Sequence, residues 1–410
     1  MDAPNDPQVL IVGAGPAGLA AARALADHDV TEILIIDRDD APGGLPRFCH
    51  HPGFGLEYAR WPYSGPGFAR RLLRDLAGTP VRIECRTTLI TLRDGPIAEI
   101  TGPRLGYRQM RPRAIILATG IRESNRGNLL VPGGRAESGI LTTGQLQQLV
   151  ARGVKLPPRL KSAIIVGTEH VAFSAIWTAR NAGLRVRAMV GAEDRIMSFA
   201  PLGLLARAAG IDVMTGTGLR EIVTENGAPS ALIVQAGSDI RRLPTDAVIF
   251  TANWIPEVAT LGGGPVALDP RTGGPEIDQA MRTSAAGIFA AGNMLHGVES
   301  SGWCANEGRH AGLMVARYLR GEIAGAQANQ RPTLSSDIDI LVPQLWGNDA
   351  DAPPVSLRVS RDLPHRRVAV ATDAGQIWTG ARRTLLRRRR IAAPSAASLA
   401  QASARLSVVD

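Results

Sequence analysis

The chain opens on an apolar run with little polar interruption. Residues 8–12 (QVLIV) predict a short strand buried on both faces. Residues 16–26, rich in Ala and Leu, predict a helix, and residues 32–37 (EILIID) the next strand. Together they form a βαβ unit of about 30 residues. The apolar stretch Val9–Ala26 has the length of a membrane span, but Gly13, Gly15, Pro16, Gly18 and Arg23 interrupt it, so it reads as strand, turn and helix.

Residues 43–67 (GGLPRFCHHPGFGLEYARWPYSGPG) lose periodicity and predict a long loop or a set of short turns. A helix follows over 68–76. Residues 80–117 are strand-like and end on the buried run 114–117 (AIIL). A second strand–turn–helix begins at 163–167 (AIIVG), its helix reaching Ala182, with a strand near 186–190. Residues 246–250 and 288–291 predict further buried strands, and 304–319 a helix. From about residue 326 the pattern shortens into strand-like runs (VSLRV, RRVAVA) and the basic segment Arg387–Arg390, read as a small separate domain.

Composition adds limits. A net charge of +9 is compatible with an anionic partner, but no nucleic-acid-binding signature accompanies it, so no nucleic acid is expected. Cys49, Cys85 and Cys304 form neither a CxxC pair nor a metal-ligand cluster; no metal is expected and a reducing compartment is. The N-terminus lacks the basic start of a signal peptide. These features predict a cytoplasmic protein without a transmembrane segment, reaching a membrane only through partners.

Gly13-Ala14-Gly15-Pro16-Ala17-Gly18 is a GxGxxG between the first strand and helix, the context that gives this spacing meaning. Gly13 permits the turn, Gly15 lets a pyrophosphate approach the backbone, and Gly18 lets helix pack on strand. Pro16 and Ala17 open the helix whose free N–H groups favour phosphate. Asp37, closing the second strand, is placed for the ribose hydroxyls and disfavours a 2′-phosphate; Arg38 beside it weakens that exclusion.

Three further segments make the chain resemble the two-dinucleotide flavoprotein family of glutathione and thioredoxin reductases over residues 8–325. They are Gly43-Gly44, Ala118-Thr119-Gly120, and the run 287–293 (GIFAAGN) ending in Gly292-Asn293. The resemblance implies FAD, with Gly13, Gly15, Pro16, Ala17, Gly18, Asp37, Arg38, Gly44, Ala118, Thr119, Gly120, Gly292 and Asn293 around it. Asn293 stands where the family usually has Asp. A helix N-terminus beneath the flavin pyrimidine ring is implied near Gly302, Trp303 and Cys304, where it would stabilise anionic reduced flavin. The implied fold class is α/β: two Rossmann-like dinucleotide-binding domains, 1–125 with 256–325 for FAD and 126–255 for a degenerate NAD-type copy, plus a small β-rich C-terminal domain, 326–410.

The second copy reads Gly167-Thr168-Glu169-His170-Val171-Ala172. Glu169 puts bulk and negative charge where a working turn has Gly, so NAD(P) is doubtful there. Cys49 and Cys304 lack a neighbouring thiol in sequence, which disfavours a disulfide-reductase reaction. The runs GGLPRFCHHPGFG, ATGIRE, TTGQLQQLV, GTEHVAFSA and GWCANEGRHAG resemble the FAD-dependent α subunits of multi-subunit dehydrogenases, of the hydrogen cyanide synthase, opine oxidase and dye-linked proline dehydrogenase type. That implies a second flavoprotein dehydrogenase subunit, a small iron–sulfur protein, or both, as partners. Residues 305–410 hold no cysteine, so any cluster belongs to a partner.

The expected activity is oxidation of a small amine, amino acid or hydroxy compound. Arg47, Cys49, His50 and His51 are the catalytic candidates: histidine for proton work, Arg47 for clamping an anion. The alternatives are an NAD(P)H-dependent flavin oxidoreductase and a non-catalytic FAD-bearing docking subunit.

Overall fold

The computed structural model describes residues 6–198, 200–251, 254–324, 328, 330–347, 354–372, 375–387, 389–395 and 404–410. Contacts divide the chain into two units: Met1–Pro46, Gly53–Ile121 and Pro256–Asp410 in the first, Arg47–Pro52 and Arg122–Ile255 in the second.

The first unit is built on a five-stranded parallel sheet. Its strands are β1 (Val9–Val12), β2 (Ile33–Asp37), β3 (Arg82–Cys85), β4 (Ala114–Leu117) and β5 (Ile288–Ala290), in the order β5-β4-β1-β2-β3. Ile11 sits in register between Ile35 and Ile116, and all four residues of β1 are buried, which explains the lack of alternation. Helix α1 (Pro16–Ala26) follows β1, and helix α2 (Ser301–Leu319) follows β5. The two run parallel. A Cβ at Gly308 would collide with the Ala17 carbonyl oxygen and one at Gly312 with that of Ala21, so the glycines bring the helix backbones together.

The predicted helix over 68–76 begins earlier, at Gly65, because Ser64 caps it by accepting the Gly67 N–H (3.2 Å) and Pro66 suits its first turn. Residues 88–110 form a three-stranded antiparallel sheet within the strand-like stretch. The C-terminal region has its own apolar cluster, including Trp346, Val355, Leu357 and Val370, between two small sheets, yet belongs to the first unit. Arg388 of the basic segment lies outside the described residues.

The second unit repeats the design. Strands Ile140–Thr142, Ala247–Phe250, Ser162–Val166, Arg185–Val190 and Asp212–Met214 form a parallel sheet in that order. The His170–Asn181 helix follows Ser162–Val166. Among the described residues no helix is long and apolar enough to cross a membrane.

Candidate functional site

The first glycine turn is over-determined by its neighbours. Gly13 has φ +112°, and a Cβ there would strike the Ala118 carbonyl oxygen. Its N–H donates to the Ile36 carbonyl (2.8 Å), while Ala118 N–H donates to that of Val12 (2.8 Å). Gly44 (φ +62°) presses on Gly15, its ideal Cβ 2.9 Å from the Gly15 Cα. Gly15 is different: a Cβ there meets nothing within 4 Å. It is the N-cap of α1 and supplies no side-chain acceptor to the helix's first turn. The dipole of α1 favours an anion at that point. Bare backbone, open volume and uncapped donors fit a dinucleotide diphosphate.

Asp37 holds the turn as well as facing it. One carboxylate oxygen accepts the Ala14 N–H (2.6 Å) and the other that of Asp39 (2.8 Å). An ionised carboxylate has lone pairs left for ribose hydroxyls. Arg38 is engaged in an ion pair with Glu257 (3.0 Å), and the Thr119 hydroxyl donates to the Glu257 carbonyl (2.7 Å). Gly120 has φ +74° with nothing near its ideal Cβ.

Gly292 and Asn293 follow β5 at the same carboxyl edge of the sheet, the Gly292 Cβ position lying 2.8 Å from the Ala17 Cβ. Two glycine motifs thus meet at one strand edge, where open α/β sheets bind their ligands.

The chain belongs to the pyridine nucleotide-disulphide oxidoreductase family. The family match spans residues 7–312. The chain is 28% identical to the thioredoxin reductase of Treponema pallidum over 71% of its length and 89% of the relative's. It is 26% identical to the NADPH glutamate synthase small chain of Escherichia coli, covering 76% of this chain and 68% of that one. The solved thioredoxin reductase of T. acidophilum shares the fold, with a TM-score of 0.65 at 19% identity, covering 77% of this chain and 99% of the other. The protein is an FAD-dependent oxidoreductase with a thioredoxin reductase-like two-Rossmann fold.

In this family member the Gly292–Asn293 side of the edge carries a charged network that sequence reasoning missed. The Asn293 side chain ties back on its own loop, its Oδ1 accepting the Glu299 N–H (2.6 Å) and its Nδ2 donating to the Glu299 carbonyl (3.2 Å). Ser300 caps α2 through the Trp303 N–H (3.3 Å). Inside α2, Glu307 accepts from His296 Nε2 (3.0 Å) and the Gly292 N–H (3.2 Å). Arg358 pairs with Glu299 (2.7 Å), both buried. Arg390 lies over the Trp303 ring (4.1 Å), 3.6 Å from Glu307 and 4.0 Å from Glu299. Burial pushes the Glu307 carboxyl up, but His296 and Arg390 outweigh it and hold it below its ordinary value. The only local signal was a glutamate inside a helix of small residues; its arginine partner is 83 positions away.

Burial disfavours the thiolate at Cys49 and Cys304. Burial, aided by Glu123, pushes Cys49 up to about 12, and its Sγ lies 3.4 Å from Gln147 Oε1. Burial, with Glu307 and Glu299, pushes Cys304 well above the ordinary thiol value. Both are free. Arg47, Cys49, His50 and His51 all fall in the second unit, not the one with the first glycine turn. Arg47 stacks on Phe48 (4.8 Å), His50 is exposed, and His51 Nδ1 lies 3.0 Å from the Pro52 carbonyl oxygen.

In the second turn Glu169 is the N-cap of its helix, and its carboxylate folds back to accept the Thr168 N–H (3.0 Å). Gly167 has φ +140°, and its ideal Cβ would lie 2.8 Å from Glu169 Oε2. Where the first turn leaves open space, this one contains a carboxylate.

Proposed function

We propose that this protein is the flavoprotein subunit of a multi-subunit dehydrogenase. It oxidises a small amine, amino acid or hydroxy compound and passes electrons to a partner, a second flavoprotein subunit or a small iron–sulfur protein. FAD supplies hydride acceptance at N5. The chain's part is to hold the diphosphate on the Gly15 backbone, seat Gly292 and Asn293 beside it, and place the positive end of α2 toward the flavin.

The observation that carries this reading is the Glu169 carboxylate lying over the second turn. A pyrophosphate there would lose the Thr168 N–H and meet a negative charge, which disfavours NAD(P)H as the direct donor. Burial disfavours the thiolate at Cys49 and Cys304, which argues separately against a disulfide-reductase reaction.

Anaerobic mixing of the FAD-loaded protein with NADPH or NADH tests it. Bleaching of the flavin band should be slow with both. Glu169→Gly should accelerate it by roughly tenfold or more, about 1.4 kcal/mol of recovered stabilisation. Rapid bleaching of the unaltered protein would favour the second reading, an NAD(P)H-dependent reductase. The names of the thioredoxin reductase and NADPH glutamate synthase relatives favour that alternative.

A further inference from the structure

We propose that Arg390 is a positioning residue that poises the reduction potential of bound FAD, by balancing two largely buried carboxylates and fixing Trp303 at the first turn of α2. The inference rests on FAD lying at the first glycine turn.

Placement comes first. With a diphosphate at Gly15, the flavin half of the dinucleotide lies along the same carboxyl edge, which is walled by Gly292, Asn293 and the start of α2. The ideal Cβ of Gly292 sits 3.8 Å from the Cβ of Cys304, so that first turn closes on the strand edge. Everything in the charged network touches these elements. Glu307 binds the Gly292 N–H, Glu299 binds Asn293 through its main chain, and Trp303 is in the first turn itself.

Charge comes next. Two carboxylates, Glu299 and Glu307, face two guanidiniums, Arg358 and Arg390, and the His296 imidazole. Their side chains are 1–14% exposed, so solvent screens them weakly. Arg358 is locked, donating to the Gly297 and Val298 carbonyls as well as to Glu299. Arg390 is held otherwise. Its Nε and Nη1 are buried without a hydrogen-bond acceptor, while its guanidinium lies over the Trp303 ring and within 4.0 Å of both carboxylates. At these distances its charge is its chief contribution to the two carboxylates. It also lines a cavity of about 640 Å³ together with Trp303, Glu307 and Glu57.

Removing Arg390 takes one positive charge from beside Glu299 and Glu307 at the end of α2. Reduced anionic flavin is then disfavoured and the potential falls. Equilibrating the holoprotein against a reference dye reads this directly from the flavin band. In Arg390→Gln the reduced-to-oxidised ratio should drop about tenfold, about 30 mV for a two-electron couple. Arg390→Lys should retain most of the wild-type ratio. Glu307→Gln alone should raise the ratio, and Arg390→Gln with Glu307→Gln should return close to wild type, a recovery that a packing role would not produce.

An Arg390→Gln protein that keeps FAD with an unchanged ratio overturns the proposal, as does a double variant no closer to wild type than the single. If Arg390→Gln fails to fold, Glu307→Gln decides alone: an unchanged or lower ratio overturns the proposal. A wild-type protein that binds no FAD sinks the underlying reading instead.

Discussion

Gly15 and Glu169 occupy matching places in two strand–turn–helix units, and the difference between them is the substance of the functional reading. At Gly15 the backbone angle is φ −79°, which any residue adopts, and a Cβ has free space. Gly15→Ala should therefore leave the melting temperature of the FAD-free protein unchanged while weakening FAD binding by roughly tenfold, about 1.4 kcal/mol. Fluorescence titration with FAD checks this, and equal affinities would place the diphosphate elsewhere. Glu307 makes a second prediction at this scale. Its carboxyl is held below the ordinary value, so it stabilises the fold above the ordinary carboxylate range, and that contribution is lost as pH falls through the depressed value. Glu307→Gln should lower the melting temperature by about 2–4 °C at pH 7 for each kcal/mol lost. The deficit should hold down to the ordinary carboxylate range and shrink only below it, toward the depressed value, and a deficit that persists in stronger acid would mean packing rather than charge. Glu169 was legible in the sequence because it breaks a spaced glycine pattern. Arg390 was not, because an ion pair closed by folding has no local periodicity.

Among the elements, the packing of α1 on α2 sets the site, since the end of α2 reaches the strand edge only if the helices approach closely. Gly308 and Gly312 allow that approach, and the obstacle at each is backbone, which cannot rotate away. Gly308→Ala should destabilise the FAD-free protein by about 1–3 kcal/mol, as overpacking does. Its urea midpoint should fall where that of Gly15→Ala does not. Identical midpoints would mean the helices separate at no cost. The buried strands were readable because continuous apolar runs of four or five residues need cover on both faces. Helix starts were harder to read. Gly65 and Gly302 sit in first turns stabilised by Ser64 and Ser300, and glycines beside prolines or serines read as loop until the cap is seen.

At the scale of the whole molecule, charge is unevenly distributed. The chain carries +9, and residues 354–410, with eleven arginines against three aspartates and neither Lys nor Glu, carry +8 of it. The sequence pattern showed this region as distinct, and its separate apolar cluster follows from its short strands. Its membership of the first unit, and that of residues 47–52 in the second, depends on long-range contacts that no local pattern encodes. Two of its arginines, 358 and 390, are spent inside on Glu299 and Glu307; Arg382 and Arg383 are exposed. A partner that docks on this surface would be acidic, and its capture would be electrostatic. The Debye length shrinks from about 10 Å at 0.1 M salt to about 3 Å at 1 M, so steering between exposed charges is then largely screened. Electron delivery from dye-reduced holoprotein to an acidic iron–sulfur protein, followed by stopped flow, should slow about tenfold between 0.05 and 0.5 M NaCl, because such steering acts on the association rate. Arg382→Gln with Arg383→Gln should be slower at low salt and flatter in its salt dependence, while its flavin potential stays unchanged. A rate indifferent to salt, or unaffected by the paired substitution, would show that the excess positive charge does not guide the partner.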